Sequence, residues 1–203
     1  MQLTTALLSL FAAGAVTAAP TNGSACAVPA RKFGIMSLRS ASPIHFGQVS
    51  AYRNNIVLSL PENELEAQCA NGVARRDATF YIKDGELFLF TPKDTVQKFF
   101  TDRSGMGQGV LQYVTYAKGE TWTPGRNFET KGWEIDENDN LTFKGNGLQA
   151  CPWDAANPQT TKWNIWLSGV SKPATQEGCL GFNARTITID EPVKCTYPPR
   201  QYE

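Results

Sequence analysis

YIKDGELFLF, residues 81–90, is the stretch on which the fold turns. Alternating runs flank Asp84-Gly85, and Asp-Gly in that setting is among the strongest short hairpin signals, because glycine accepts the positive φ that a type I′ turn requires. Two further stretches repeat the pattern on either side: AYRNNIVLSL, residues 51–60, around Asn54-Asn55, and WEIDENDNLTF, residues 133–143, around Asp139-Asn140. Asn and Asp serve there because they tolerate the left-handed region. From Phe33 onward the apolar residues recur with period two, in short runs broken by Gly, Asn, Asp and Pro, which gives about twelve strands. PENELEA, residues 61–67, is the best helical candidate. The prediction is therefore an all-β domain over residues 33–203, β-trefoil-like, with a β-sandwich as the alternative. The marked turns are unevenly spaced, about 30 and then 55 residues apart, which keeps the sandwich in contention.

Outside that domain the chain opens on MQLTTALLSLFAAGAVTAAP. A short apolar run followed by small residues predicts a secretory signal peptide over residues 1–18, and residues 19–32 then form an N-terminal arm. No segment predicts a membrane anchor. Lys+Arg and Asp+Glu balance at 19 each and are scattered, so the composition carries no footprint for nucleic acid and argues against a polyanion partner. The secretory route makes disulfides the default for Cys26, Cys69, Cys151, Cys179 and Cys195, and no CxxC spacing supports zinc. Their connectivity is open at the level of sequence. The usual closeness of domain termini favours Cys26 with Cys195, and Cys151 with Cys179 is the second choice. Cys69 is then left over, buried as a small apolar residue or free for a disulfide-linked partner. Asn22 and Asn140 stand in glycosylation sequons, Asn140 in a turn.

The stretch TDRSGMGQG, residues 101–109, has glycine at every second position. A phosphate cradle needs GxxxxGK[ST] or GxGxxG opening a helix; here no lysine follows and VLQYVTY continues as a strand. A Ser104 nucleophile would depend on His45, the one histidine of the chain. The structural reading is stronger. Gly105, Gly107 and Gly109 supply dihedrals other residues avoid, and Asp102 and Arg103 brace the turn. Paired carboxylates are available for glycosidase chemistry among Asp84, Glu86, Asp102, Glu134, Asp136, Asp154 and Asp190, but context singles out none. DENDN places Asp136, Asn138 and Asn140 at calcium-loop spacing, yet Leu141 stands where that loop needs glycine. No catalytic, cofactor or metal residue is assigned. In KWNIWL, Trp163 and Trp166 fall on opposite faces of a strand, so one of them is a candidate sugar-stacking platform.

Taken together and in order, ATFYIKDGELFLF, DRSGMGQG, GWEID, LQACPW and GCLGFNAR resemble the fungal cell wall protein PhiA family, from about Cys26 to Cys195, all five cysteines included. The likeness is most specific at DRSGMGQG. It implies a secreted, wall-associated protein of filamentous ascomycetes with a part in phialide and conidium development and stress protection, no established enzymatic activity, no cofactor, and allergenic relatives. Wall polysaccharide or other wall proteins are the implied partners. The alternative function is a lectin-like module for glucan or chitin. Esterification to glucan through a DGQ motif is not supported, because KDGE, residues 83–86, has no glutamine.

Overall fold

The computed structural model describes residues 30–199; the expected signal peptide, most of the arm, Asn22 and Cys26 lie outside them. Strands dominate, and the only helical segments among the described residues are two single 3-10 turns. One of these, Glu62–Glu64, is all that PENELEA forms, because only Leu65 and Ala67 of it pack against the core, and their spacing of two makes no helical stripe. Among the described residues no helix is long and apolar enough to cross a membrane.

Six strands are linked in a ring, by ladders within the large sheet and by single hydrogen bonds to the separate two-stranded sheet β10–β11: β1 (Phe33–Leu38), β5 (Phe80–Lys83), β6 (Glu86–Leu89), β10 (Trp133–Ile135), β11 (Leu141–Phe143) and β14 (Leu180–Thr188). β14 pairs with β1 along its full length and β1 meets β5 at Phe33 and Phe80. β5 and β6 pair across the Asp84-Gly85 turn, which has φ 54° and 75°. The Gly85 carbonyl then accepts the Trp133 N–H at 3.0 Å, β10 pairs with β11, and Thr186 N–H to the Asp139 carbonyl, 2.8 Å, leads back to β14.

Three hairpins are inserted into this ring. They are β2 (Val49–Tyr52) with β3 (Asn55–Leu58), β7 (Thr95–Asp102) with β8 (Val110–Ala117), and β12 (Leu148–Pro152) with β13 (Trp163–Leu167). Each hairpin pairs with the other two, Asn55 opposite Gln112, Val110 opposite Trp166 and Leu58 opposite Trp163. The uneven spacing of the turns in the sequence has its cause here. Arg53-Asn54, one residue earlier than expected, turns an inserted hairpin, whereas Asp84-Gly85 and the loop at residues 136–140 join ring strands.

Alternation fills the space between ring and hairpins with apolar side chains. Phe33, Phe80, Phe99 and Tyr113 form a chain of rings with centroids 5.7–6.1 Å apart, and Trp133 meets Phe143 edge-on. Two-residue strands make one edge of the large sheet and a separate small one. β9 (Phe128–Glu129) adds to β7, and β4 (Gln68–Cys69) pairs with β15 (Cys195–Thr196). Buried Gln97 pins the chain end: its amide donates to the Tyr197 carbonyl at 2.6 Å and accepts the Tyr197 N–H at 3.1 Å.

One of the two disulfides departs from the expected pairing. Cys69, expected to be left over, bonds to Cys195, and Cys151 bonds to Cys179. Register is the reason. Cys69 and Cys195 are direct partners on β4 and β15, with Cα atoms 4.0 Å apart, so Cys195 is not available to Cys26. Of the five cysteines in the sequence, Cys26 is the one outside both bonds.

Candidate functional site

The glycine-rich stretch is the loop of the β7–β8 hairpin, and its polar atoms are committed to one another. Asp102 Oδ1 accepts the Ser104 N–H at 2.8 Å, and Ser104 Oγ accepts the Gly107 N–H at 3.0 Å. The Asp102 carbonyl takes the Gly109 N–H at 2.7 Å. Gln108, at φ 50°, donates to the Gly105 carbonyl and accepts the Ala174 N–H at 2.8 Å, which ties the loop to the segment beyond β13. Gly109, at φ 89°, accepts the Leu167 N–H on β13. Ser104 thus acts as a brace, its Oγ holding the Gly107 N–H, and Arg103 anchors by its backbone N–H to the Asn127 carbonyl while its side chain is exposed.

Gly107 has a specific steric cause. A Cβ there would stand 2.1 Å from Asp102 Cγ, whereas one at Gly105 would meet nothing within 4 Å. Gly107→Ala should therefore displace Asp102 from its cap and cost roughly 2 kcal/mol. Gly105→Ala should stay within about 0.5 kcal/mol of the parent. Urea unfolding of the two variants checks the pair, and equal midpoints would refute the assignment.

The two tryptophans expected to offer a platform do not. Trp163 and Trp166 are 2% and 5% exposed, because β13 is bordered by β12 on one side and by β3 and β8 on the other, and both faces of the strand are covered. The exposed indole is Trp153, at 50%. It lies edge-on to Tyr52, with the Lys162 ammonium 4.1 Å from its ring centre and 4.8 Å from that of Tyr52. Lys162 also pairs with Glu64. At the same turn Arg53 sits over Tyr52 and holds Glu66 through two nitrogens. Beside it a groove of about 280 Å³ is lined by Arg53, Asn55, Gln112, Phe100, Trp122 and Phe128. Phe100 stacks on Phe128 at 4.6 Å and meets Trp122 at 5.2 Å. Amides facing an aromatic floor suit a hydroxylated ring. No signal in the sequence distinguishes Trp153 from the other four tryptophans except its place beyond the end of a strand, before the turn AANPQ.

Charge is tuned in this corner. Burial opposes ionisation of Glu64, but hydrogen bonds from Lys162 and Tyr52 outweigh it, so the carboxyl titrates below its ordinary range. Burial, reinforced by Glu64, pushes the Tyr52 hydroxyl up to about 12. A depressed carboxyl stabilises the fold fully above its unfolded-state pKa, and that contribution fades as the pH falls through the lower, folded value. Glu64→Gln should therefore be less stable than the parent at pH 7, and the gap should close in acid. A gap independent of pH would refute it.

The remaining candidates are local braces. Asp136 accepts the N–H groups of Asn138 and Asn140 at 2.9 and 2.8 Å, Asp154 accepts from Ala156 and Asn157, and Glu86 is held by Lys98 and Thr130. Asn140, expected to be exposed, is half-buried, with Oδ1 enclosed and Nδ2 donating to Asp136 at 3.3 Å. His45 lies in a turn and not a strand, accepting the Arg39 N–H at Nδ1.

Comparison with known proteins finds one family and several relatives. The PhiA-like secreted protein family matches residues 33–198. The chain is 38% identical over 198 residues to a protein named cell wall protein phiA from Emericella nidulans, covering 97% of this chain and 99% of that one. It is 38% identical over 189 residues to the protein of that name from Aspergillus fumigatus, covering 92% and 96%. The Arthroderma benhamiae protein so named is 37% identical over 192 residues, covering 93% and 95%. No solved structure gives a significant match.

Proposed function

The chain belongs to the PhiA-like secreted protein family, and from that premise we propose that it is a secreted, non-enzymatic component of the fungal cell wall that supports conidium formation and stress protection. The observation that carries this reading is the length of the likeness: relatives named as cell wall proteins align over more than nine-tenths of this chain. The local geometry agrees. Asp102, Ser104, Asp136, Asp154 and Glu86, the residues nearest to a catalytic set in the sequence, each brace a turn or a strand. Deletion of the gene should reduce phialides and conidia and sensitise the wall to stress; normal sporulation would overturn the developmental part. In this reading a disulfide-linked wall partner falls to Cys26, since Cys69 is already bonded.

The finer fold assignment is a β-trefoil. Its support is the threefold recurrence of ring strand, inserted hairpin and ring strand, together with the pairing of each hairpin with the other two.

A second reading, a glycan-binding module, is favoured by the exposed Trp153 and the aromatic groove at Arg53. Retention of the purified protein on insoluble chitin or β-1,3-glucan, lost in Trp153→Ala or Trp122→Ala, would support it. Retention unaffected by both variants, or none at all, would exclude it.

A further inference from the structure

On the outer face of β5, β6, β7 and the end of β8 lies a second concavity of about 550 Å³. Five lysines line it: Lys32, Lys83, Lys93, Lys118 and Lys194. They come from five separate places in the sequence, which is why a balanced composition conceals them. Among the described residues none of the five is in an ion pair, and no acidic side chain lines the concavity. The nearby Glu86 is engaged with Lys98 and Thr130.

The floor is aromatic. Tyr81 and Phe88 stack at 5.2 Å, and the Lys32 ammonium lies 4.7 Å above the Tyr81 ring and 5.3 Å from that of Phe90. Lys194 stands 5.8 Å from the same Phe90 ring. Lys32 spends one hydrogen on the Ala30 carbonyl at 2.7 Å, and partial burial lowers its pKa. A cation drawn partly out of water without a carboxylate gains from an incoming anion.

We propose that this lysine-lined concavity binds an acidic saccharide, a carboxylate or phosphate carried on a sugar ring. Lysines supply the charge, while Tyr81, Tyr116, Thr91 and Thr95 line the same concavity with hydroxyls for a polar ring. A stacked nucleobase fits less well, because cations already stand over Tyr81 and Phe90. A flat lipid surface does not match a concave site. The inference is separate from the wall-protein reading, and its test uses purified protein, so either can fail alone.

The test measures binding of the mature protein to polygalacturonate, to phosphomannan and to neutral β-1,3-glucan, at low salt and at about 1 M salt, where the screening length falls to about 3 Å. Binding to one or both acidic polymers at low salt, abolished at high salt and absent for the neutral glucan, is expected; the polymer bound tells carboxylate from phosphate. Lys83, Lys93 and Lys118 are exposed, so the triple variant Lys83→Gln, Lys93→Gln, Lys118→Gln keeps the fold and should bind roughly tenfold more weakly. Lys32→Met retains the apolar stem and should also weaken binding, whereas Lys172→Gln, outside the concavity, should not. Unchanged binding by the triple variant would overturn the proposal. So would equal binding of the neutral glucan, or tighter binding of single-stranded DNA or anionic vesicles than of either acidic polymer.

Discussion

Replacing Cys69 and Cys195 together by alanine is expected to remove about 5 kcal/mol of stability, the largest loss from any change considered. The bond closes a loop of 126 residues, and the chain-entropy relation for so long a loop gives about 5 kcal/mol, against about 3.5 kcal/mol for the 28 residues between Cys151 and Cys179. Native domains of this size hold about 5–15 kcal/mol in total, so the double variant should lie near its limit at growth temperature. The local structure adds to the effect. β4 and β15 are two residues long, and without the bond the chain end is held chiefly by Gln97 and the burial of Tyr197. Urea unfolding of the two double variants provides the comparison; a smaller loss for Cys69/Cys195 than for Cys151/Cys179 would refute the ranking. Both cysteines of a pair must be changed, because a single replacement leaves a thiol to exchange.

Trp163→Ala should cost about 3–5 kcal/mol, the usual range for removing a buried Trp or Phe from a core. Trp163 is among the largest fully enclosed side chains, its ring nitrogen donates to the Pro158 carbonyl at 3.2 Å, and its backbone faces Leu58 where two hairpins meet. Trp153→Ala, at a half-exposed ring, should cost about 1 kcal/mol or less. Tryptophan fluorescence during denaturation gives both numbers. Comparable losses in the two variants would place Trp163 outside the core.

What the sequence made legible was local. Asp84-Gly85 announces its turn because two residues suffice to specify it, and VLQYVTY, the body of β8, reads as a strand from its own residues, whereas β7 extends beyond the apolar QKFF that marks it. The glycines at 105, 107 and 109 read correctly as a turn, yet the reason for Gly107 does not, since it depends on where Asp102 folds back. Pairings across long separations were hidden. Cys69 meets Cys195 only because two very short strands come into register, and neither has a periodic signature. Burial of Trp166 was hidden too, because alternation separates two faces but does not reveal that both are covered. The lysines that ring the β5–β8 concavity lie between 10 and 76 residues apart along the chain from one to the next, so a charge count averages them away.

The shortness of the strands on which the sheets end bears on how the molecule behaves at high concentration. An open sheet ends in a row of unpaired N–H and C=O groups that can recruit a strand from a neighbouring molecule. Here the large sheet ends on short strands, four residues in β2 and two in β9, and the separate pairs β10–β11 and β4–β15 have at most three residues a strand. Such a chain can be packed densely into an extracellular matrix with little template for cross-β growth, and its contacts with neighbours are left to side chains at its surface.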